Sequence, residues 1–491
     1  MPVSFVPSTA EMVRVLPEAI LVIVATAIMV LAPLVKSKGG HWLGYVAVAG
    51  MLAALGGTLA AYLNSGSAFQ GTIVVDEFAT FFRALVIGVG VLTAIASMPY
   101  LRREGVAAAE FHALLLYSVT GQCLMASTDE LIMVFIGLEI SSISSYILVG
   151  YLRDDKRANE AALKYFLLGS FATAFFLYGV AWIYGVTGTT YLSDIQGMLG
   201  AGRMGPSQPL AAVAAALIFV GIAFKVSVWP FQIWAPDVYQ GAPAPVAGFL
   251  STGPKAAAFA VFLRIFMTAF EPVSGRWESL LWLSALLTMV VGNFAALAQT
   301  NIKRLLAYSS IAHAGYVLVA LTANSEAGIS AALFYLAAYA LMNLGAFALI
   351  GYFSRQGERY LEVQDLSGLA ARRPVAAALF SVLLLSLIGV PLTGGFFGKF
   401  YIFKAALDSG LVWLTVLGLL NSAVAAYYYL RIIVVMYMQE PSEAATSLLP
   451  FGGAVGTVMW TAVLGTLLLG IYPSPVLDFA RQAALLFLQQ H

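Results

Sequence analysis

The stretch Phe224-Lys225-Val-Ser-Val-Trp-Pro-Phe-Gln-Ile-Trp-Ala-Pro-Asp-Val-Tyr-Gln-Gly-Ala-Pro243 places a lysine in an apolar segment that prolines interrupt. Pro230 has no backbone N–H, so the carbonyl of Val226 loses its helical partner. Further prolines follow at 236, 243 and 245. Irregular backbone at membrane depth is tolerated only where it is buried or lines a hydrated cavity. We therefore predict a broken membrane helix with Lys225 close to the break.

The composition of the whole chain is that of a membrane protein. Of its 491 residues, 61% are hydrophobic and 10% are charged, with a formal net charge of +1. Soluble proteins are about 45–50% apolar and about 25% charged, so a soluble enzyme is excluded. The lack of a basic excess argues against nucleic acid as a partner. The single cysteine, Cys123, excludes an internal disulfide and a cysteine-ligated zinc or iron–sulfur site.

Fourteen stretches are long and apolar enough to cross the hydrocarbon as helices, which takes about 20 residues each. We predict an all-α, polytopic integral membrane protein, with residues 1–491 in a single transmembrane domain and with discontinuous helices 7 and 12. The predicted spans are approximately 14–34, 42–63, 78–98, 109–127, 130–152, 160–186, 210–232, 245–270, 278–299, 302–323, 328–353, 375–406, 411–438 and 455–478.

Lysine and arginine concentrate in the odd-numbered links between spans, a bias that marks cytoplasmic links. The first apolar stretch reaches full spanning length, which predicts a retained helix rather than a cleaved signal peptide. Both termini are then predicted on the opposite, periplasmic side. The odd-numbered links carry Lys36, Lys38, Arg102, Arg103, Arg153, Lys156, Arg157, Lys303, Arg304, Arg355, Arg359, Arg372 and Arg373, and the even-numbered links carry little beyond Arg203 and Arg276.

Glu139 is predicted about halfway through the fifth span, ten residues beyond Asp129 and therefore about 15 Å deeper. An ionisable group at this depth costs about 2.5–3.5 kcal/mol on insertion scales, which favours a functional role. Ser142 and Tyr146 share its helical face, where they could hydrogen-bond the carboxylate. The alternative is a protonated glutamate that joins neighbouring helices.

Two further lysines lie beside predicted helix breaks. Lys255 follows Pro254 directly, and Lys399 follows the interruption Gly389-Val-Pro-Leu-Thr-Gly-Gly-Phe-Phe-Gly-Lys399. A lysine near a helix end can extend its ammonium to the membrane surface. This explanation is reasonable for one of the three lysines but not for all three together. We therefore predict that Lys225, Lys255 and Lys399 line one polar pathway.

Secondary candidates are open to structural explanations. Lys164 stands four residues after Glu160, the spacing of an ordinary helix pair. His313 has an unperturbed pKa near 6.5 and is a candidate proton relay, but a hydrogen-bonded core histidine is an equal alternative. Arg264 and Arg431 are predicted near helix ends, paired with lipid phosphate or with a neighbouring residue.

The chain also repeats at long range. Lys225 and Lys399 are 174 residues apart, and so are Glu139 and His313. Five spans separate the members of each pair, and an odd number gives the two copies opposite orientations. Inverted repeats with discontinuous helices point to a transport pathway. We predict repeats over approximately 109–270 and 278–438.

Together, Glu139, Lys225, Lys255, His313 and Lys399 are predicted to form a proton relay joined by water. Burial lowers the pKa of a lysine ammonium and a carboxylate within about 4–6 Å raises it, so a small movement changes proton affinity. The segment Gly394–Lys399 resembles a nucleotide-binding phosphate loop, but it has three residues between its glycines where that loop has four. The sequence therefore shows no nucleotide site that could supply energy. Partner subunits or a second ion must drive transport.

Four segments resemble the subunit N family of proton-pumping NADH–quinone oxidoreductase, or respiratory complex I. They are residues 224–243 and 389–399, quoted above, with Glu160-Ala-Ala-Leu-Lys-Tyr-Phe-Leu-Leu-Gly-Ser170 and Gln299-Thr-Asn-Ile-Lys-Arg-Leu-Leu-Ala-Tyr-Ser-Ser310. The resemblance implies fourteen helices and two inverted five-helix repeats. It also implies a pair of Glu139 with Lys225, followed by Lys255 and Lys399.

The resemblance also has implications for the cofactors and partners of this chain. NADH, FMN, iron–sulfur clusters and quinone belong to partner subunits, and no cofactor is expected in this chain. The implied partners are a neighbouring antiporter-like subunit, small membrane subunits and the lipid of a bacterial inner membrane. Two alternatives stay open, namely a secondary cation/proton antiporter and a subunit that only supports the membrane arm structurally.

Overall fold

The computed structural model describes residues 7–34, 40–200, 208–446 and 452–489. Within these residues the chain is almost entirely helical, apart from a small hairpin of β1 (Gly66–Ala68) and β2 (Ile73–Val75). The helices are α1 (Thr9–Arg14), α2 (Leu16–Leu31), α3 (Leu43–Tyr62), α4 (Glu77–Glu104), α5 (Ala109–Ala126), α6 (Leu131–Val149), α7 (Lys156–Thr187), α8 (Leu192–Gly200), α9 (Gln208–Val226), α10 (Trp234–Gly241), α11 (Ala244–Leu250), α12 (Gly253–Arg264), α13 (Glu278–Leu297), α14 (Ile302–Thr322), α15 (Glu326–Phe353), α16 (Leu369–Arg372), α17 (Pro374–Ile388), α18 (Gly394–Asp408), α19 (Val412–Met438), α20 (Glu443–Thr446), α21 (Gly453–Ile471) and α22 (Ser474–Gln489).

The prediction of an all-α polytopic membrane protein is confirmed. Twelve helical segments among the described residues are long and apolar enough to cross a membrane. Each of the fourteen predicted stretches coincides with a helix or with a pair of half-helices. The two outside the twelve are α5 and the pair α17 and α18, so the count of fourteen stays a prediction.

The predicted last span, 455–478, is wrong at its end. Helix α21 stops at Ile471, and the separate helix α22 begins at Ser474. Pro473 lies between them and cannot donate the next helical hydrogen bond. Pro475 lies in the first turn of α22, where the missing N–H costs nothing.

Both predicted discontinuous helices are present. In helix 7, residues 227–233 separate α9 from α10, and in helix 12 residues 389–393 separate α17 from α18. Gly389, at the second break, has φ +96°, a conformation that glycine adopts without steric cost. Helix 8 is also interrupted, since α11 ends at Leu250, before Pro254.

The centre of the bundle is formed by α11, α12, α14 and α15, whose residues are nearly all buried. These helices are apolar around most of their circumference, as expected of helices enclosed by other helices. Surrounding helices such as α2 and α7 leave one side exposed. Lys255 on α12 and His313 on α14 therefore lie inside the bundle, away from lipid.

The two terminal helical regions lie at the same end of the bundle. Arg14 donates hydrogen bonds to the carbonyls of Asn64, at 2.8 Å, and Ser67, at 2.6 Å, beside the β1–β2 hairpin. At the other terminus, Phe487 of α22 stacks on Phe78 of α4, with ring centroids 4.7 Å apart. Lys36, Lys38 and Arg203, used in the orientation prediction, lie outside the described residues.

Helices α5 and α6 meet through two glycines, Gly121 and Gly137. A Cβ atom at Gly121 would lie 2.4 Å from the carbonyl oxygen of Gly137, so the two backbones are in direct contact. We expect Gly121→Ala to lower the free energy of unfolding by about 1–3 kcal/mol, because the helices must separate. Gly56→Ala is the matched control, since the space that its added methyl group would occupy is open to a distance of 4 Å. Equal melting temperatures in detergent for both variants would contradict this prediction.

Candidate functional site

Lys225 lies in the last turn of α9, enclosed by aromatic side chains from three neighbouring helices. Its Nζ is 3.5 Å from Oη of Tyr146 on α6 and 5.1 Å from the ring centroids of both Tyr146 and Tyr165. Trp234 of α10 stacks on Tyr165 at 4.5 Å. Aromatic faces attract a cation through their quadrupole. The ammonium is therefore held without a carboxylate in contact.

Glu139 lies two turns before Tyr146 on α6. Its Oε1 atom is buried and has no hydrogen-bond partner among the described residues. The predicted hydrogen bond from Ser142 is absent, because Ser142 donates to the carbonyl of Leu138 at 2.5 Å. The implied direct pair with Lys225 is also absent from the described part of the chain, since the ammonium lies against Tyr146 instead.

Lys255 lies in the first turn of α12, directly after the break in helix 8. Its Nζ donates to Oγ of Ser310 at 2.6 Å and to the Ser310 carbonyl at 3.2 Å. The ring of Tyr239, from α10, is 5.9 Å from the same ammonium. The Tyr239 hydroxyl is buried and has no hydrogen-bond partner among the described residues.

His313 is fully hydrogen-bonded through both ring nitrogens. Nδ1 is 2.5 Å from Oη of Tyr335, and Nε2 is 3.1 Å from Oη of Tyr429. Tyr429 also hydrogen-bonds Ser309, which precedes the Ser310 partner of Lys255. His313 is thus a satisfied buried histidine, and it also lies in a continuous chain of hydroxyl groups.

Lys399 reaches back from α18 across the break in helix 12. Its Nζ donates to the carbonyls of Leu387 and Ile388, at 3.0 and 2.9 Å, and to Oγ of Ser422 at 2.8 Å. Those carbonyls end α17, where the helix dipole favours a cation. The ring of Tyr316, which is also in edge contact with His313, lies 4.8 Å from the ammonium.

Three other buried cations of the described chain are paired differently. Each of them forms a direct ion pair with a buried carboxylate, and removing one member of such a pair would leave an unpaired charge at a cost of several kcal/mol. The pairs are Arg83 with Glu18 at 2.8 Å, Arg264 with Asp76 at 2.9 Å and Lys303 with Glu358 at 2.5 Å. Lys225, Lys255 and Lys399 are also buried, at 8%, 3% and 6% exposure, and contact hydroxyls, carbonyls and rings instead.

We call Glu139, Lys225, Lys255, His313 and Lys399 the central row. The other candidates, Lys164, Arg264 and Arg431, bind groups outside this row. Lys164 is 42% exposed and pairs with Glu160 at 2.8 Å and Asp237 at 2.9 Å, near the start of α7. Arg304 joins the same Asp237 at 2.5 Å. Arg264 and Arg431 bind protein groups, since Arg264 pairs with Asp76 and Arg431 donates to the Gln299 carbonyl at 2.5 Å.

Sequence reasoning missed the tyrosines. Their hydroxyls and rings contact Lys225, Lys255, Lys399 and His313, although only Tyr146 was singled out from the sequence. One signal in the sequence could have identified them, because Tyr335 and Tyr339 are four residues apart on one face of the apolar α15. No group of three or more His, Cys, Asp and Glu side chains in the described residues is placed to hold a metal ion. The tyrosines that contact the row are Tyr146, Tyr165, Tyr239, Tyr316, Tyr335, Tyr339 and Tyr429.

Comparison with known proteins places this geometry in context. Residues 128–425 match the protein family described as NADH:quinone oxidoreductase/Mrp antiporter, TM. NADH-quinone oxidoreductase subunit N 1 of Solibacter usitatus (strain Ellin6076) is 61% identical over 484 residues, 99% of each chain. Subunit N 2 of Koribacter versatilis (strain Ellin345) is 47% identical over 489 residues, 98% of each.

Solved structures agree with these relatives. A chain of respiratory complex I from Thermus thermophilus with bound aureothin superposes with a TM-score of 0.80 at 37% identity, covering 94% of this chain and 98% of that one. A chain of the Mrp complex from Dietzia sp. DQ12-45-1b has a TM-score of 0.83 at 22% identity, covering 97% of each chain, which shows a shared fold.

Proposed function

Because the chain belongs to the family of NADH-quinone oxidoreductase N subunits, antiporter-like subunits of the membrane arm, we propose that its central polar row carries protons across the membrane. One observation supports this most directly. The three buried lysines of the row lack the direct carboxylate partner that Arg83, Arg264 and Lys303 each have within the described residues. A cation held by hydroxyls and rings can give up its proton without leaving a buried carboxylate unpaired.

We propose that each lysine exchanges protons with the hydroxyl beside it. The hydroxyls are those of Tyr146 for Lys225, Ser310 for Lys255 and Ser422 for Lys399. Hydroxyl groups both donate and accept, which suits them to such a relay. The Ser309–Tyr429–His313–Tyr335 chain would carry protons between the latter two lysines.

Lys225 and Lys255 are separated by two aromatic residues of α10, Trp234 and Tyr239, whose rings are in edge contact at 6.0 Å. Water would have to pass the Tyr239 hydroxyl to join the two lysines. Since α10 follows the break in helix 7, its movement would open or close this gap. We propose that α10 controls transfer between the two halves of the row.

We propose that the chain contains two inverted repeats, over approximately 109–270 and 278–438. The support is the succession of helices, since the fourth span of each proposed repeat is interrupted, at residues 227–233 and 389–393. The first repeat has a second interruption, between α11 and α12, that has no counterpart among the described helices of the second repeat. Lys225 precedes its break whereas Lys399 follows its own. The shared separation of 174 residues therefore does not mark equal positions relative to the breaks.

The energy for transport is proposed to come from electron transfer between NADH and quinone on partner subunits, which hold FMN and the iron–sulfur clusters. The neighbouring partners are proposed to be another antiporter-like subunit and small membrane subunits. We place the chain in a bacterial inner membrane, with the basic links in the cytoplasm and both termini in the periplasm. Moving one charge against 100 mV takes about 2.3 kcal/mol. A change in the surroundings of a buried lysine can alter its proton affinity by a comparable free energy.

The proposal is tested by alanine variants of the row in the assembled complex. We expect Lys255→Ala and Lys399→Ala to lower the rate of NADH-driven proton uptake into proteoliposomes by about tenfold or more, since about 1.4 kcal/mol added to the barrier of a rate-limiting step gives this factor. Lys404→Ala is the matched control, because Lys404 lies exposed on the same helix as Lys399.

Two outcomes would contradict the proposal. Full proton uptake by both row variants would favour a subunit with a structural role only. Sodium- or potassium-dependent proton exchange by the chain alone in vesicles would favour a secondary antiporter. The resemblance to the Mrp complex concerns the fold alone and does not favour that activity.

A further inference from the structure

Helices α10 and α11 are separated by two residues only, and groups from distant parts of the chain clamp this connection. The carbonyl of Ala242, directly after α10, accepts a hydrogen bond from Nζ of Lys303 at 2.5 Å. On the other side of Pro243, the Ala244 N–H donates to Oε1 of Glu358 at 2.8 Å. Lys303 and Glu358 are themselves paired at 2.5 Å. One buried ion pair therefore holds the backbone on both sides of Pro243, and we call residues 242–244 the α10–α11 joint.

Glu358 reaches the joint from the link that follows α15, and its backbone there is strained. Its φ is +46°, in the left-handed region that a residue with a side chain rarely adopts. The neighbouring Gly357 donates its N–H to Glu104 at 2.9 Å, and the Glu358 carboxylate also accepts from the Tyr100 hydroxyl at 2.8 Å. Such conformations persist where the surrounding structure enforces them, and they concentrate at functional positions.

The two ends of α10 are held differently. Next to the joint, a Cβ atom on Gly241 would lie 2.5 Å from Cβ of Ala161, so the end of α10 lies directly against α7. At the other end, Trp234 follows the irregular residues 227–233, and its indole N–H donates to the Phe224 carbonyl at 2.8 Å. Helix α10 is thus held by close backbone packing at the joint and by side-chain contacts at its beginning.

We infer that Glu358 is a positioning residue that makes the α10–α11 joint the fixed point about which α10 turns. The inference rests on the proposed control of the row by α10. The eight residues of α10 span about 12 Å, so a turn of about 10° at the joint moves the far end by about 2 Å. That movement would separate Trp234 from Tyr165, whose rings stack at 4.5 Å. The joint would meanwhile keep α11, and Lys255 beyond it, in place.

Asp237, in the middle of α10, provides the matched comparison. It pairs with Lys164 at 2.9 Å and with Arg304 at 2.5 Å, and its side chain is 33% exposed. Pairs that water reaches contribute little to stability. Removal of the Asp237 charge therefore leaves the joint intact, whereas removal of the Glu358 charge does not.

The test measures the initial rate of NADH-driven proton uptake by the assembled complex in proteoliposomes. We expect Glu358→Gln to lower this rate by about fivefold or more. Asp237→Asn and Glu440→Gln, which changes an exposed glutamate, should alter it by less than about twofold. Hydrogen–deuterium exchange of the same complexes should show about tenfold faster exchange of the Ala244 N–H in Glu358→Gln, because this group loses its carboxylate acceptor.

A double variant separates the joint from the cost of an unpaired buried charge. Glu358→Gln with Lys303→Met leaves no buried ammonium without a partner, so we expect the complex to assemble and to melt close to the unmodified complex. Proton uptake should stay as low as in Glu358→Gln, because the Ala242 carbonyl has lost its donor. The inference is overturned if the double variant recovers the rate, if Asp237→Asn lowers it as much as Glu358→Gln, or if exchange at Ala244 is unchanged.

Failure of the proposed function gives a different result. Lys255→Ala would then keep full proton uptake, and the exchange measurement alone would decide on the joint. Faster exchange in Glu358→Gln that is confined to residues 242–250 would support the joint, and unchanged exchange there would overturn it.

Discussion

Replacement of Lys225 by arginine is expected to stop proton uptake through this chain while the complex still assembles. Arginine stays charged at every pH a protein tolerates, so it cannot pass on a proton. Its flat guanidinium stacks well on aromatic rings, and the site provides the rings of Tyr146 and Tyr165 at 5.1 Å. The substitution therefore keeps the positive charge and its surroundings but removes proton exchange.

The measurement is the initial rate of NADH-driven proton uptake by proteoliposomes that contain the complex. We expect a decrease of about tenfold or more, equivalent to about 1.4 kcal/mol or more in the barrier. Lys404→Arg is the matched control on an exposed lysine. Normal uptake with Lys225→Arg would mean that the ammonium acts as a fixed charge, because a group that never releases its proton would then suffice.

Helices and their breaks were predictable because their causes are local in sequence. Runs of apolar residues identify the spans, and a proline removes a donor within one turn of where it stands. Pro230 and Pro254 thus located the interruptions in helices 7 and 8. The same reasoning failed at the end of the chain, where apolar residues continue past Pro473 and conceal the boundary between α21 and α22.

The partners of the buried charges were not predictable, because they come from distant parts of the chain. Tyr146 is 79 residues from Lys225, and Tyr429 is 116 residues from His313. Helical periodicity describes neighbours on one helix and carries no information about which faces of different helices meet. Apart from Tyr146, the tyrosines of the apolar spans were therefore not identified as candidates.

The distinction between functional and structural charges depends on the same distant partners. From the sequence, Arg264 and Lys225 are both cations within apolar spans, with Arg264 predicted near a helix end and Lys225 predicted close to a helix break. In the structure, Arg264 is paired with Asp76, which lies 188 residues earlier, whereas Lys225 contacts a tyrosine. Sequence reasoning could propose that a buried charge matters, but the presence or absence of a carboxylate partner required the folded arrangement.

Loss of the Asp76 carboxylate is expected to cause the largest loss of stability. Both side chains of the Asp76–Arg264 pair are about 2% exposed, and the guanidinium Nη2 lies 2.9 Å from each carboxylate oxygen. Removing one member of such a pair leaves a buried charge and costs about 3–5 kcal/mol. We expect Asp76→Asn to reduce assembly of the chain and to lower the melting temperature of the complex markedly.

Asparagine is the informative substitution because Asp76 has a second role. Its Oδ1 accepts the Ala79 N–H at 2.6 Å and caps α4, and asparagine caps a helix as well as aspartate does. Asp76→Asn therefore isolates the loss of charge, and Asp76→Ala adds about 1 kcal/mol for the lost cap. Glu77→Gln is the control, since it removes an acidic group from the next position.

The double variant Asp76→Asn with Arg264→Met tests whether the unpaired charge of Arg264 causes the loss of stability. Without the guanidinium there is no buried cation to leave uncompensated, so we expect the double variant to melt above Asp76→Asn alone. If the two losses simply add, the pair would contribute no coupling energy. The lower stability of Asp76→Asn would then result from altered packing around Phe78, whose ring lies 4.8 Å from the guanidinium. In that case the difference between cations with and without a carboxylate partner would have no basis in energy.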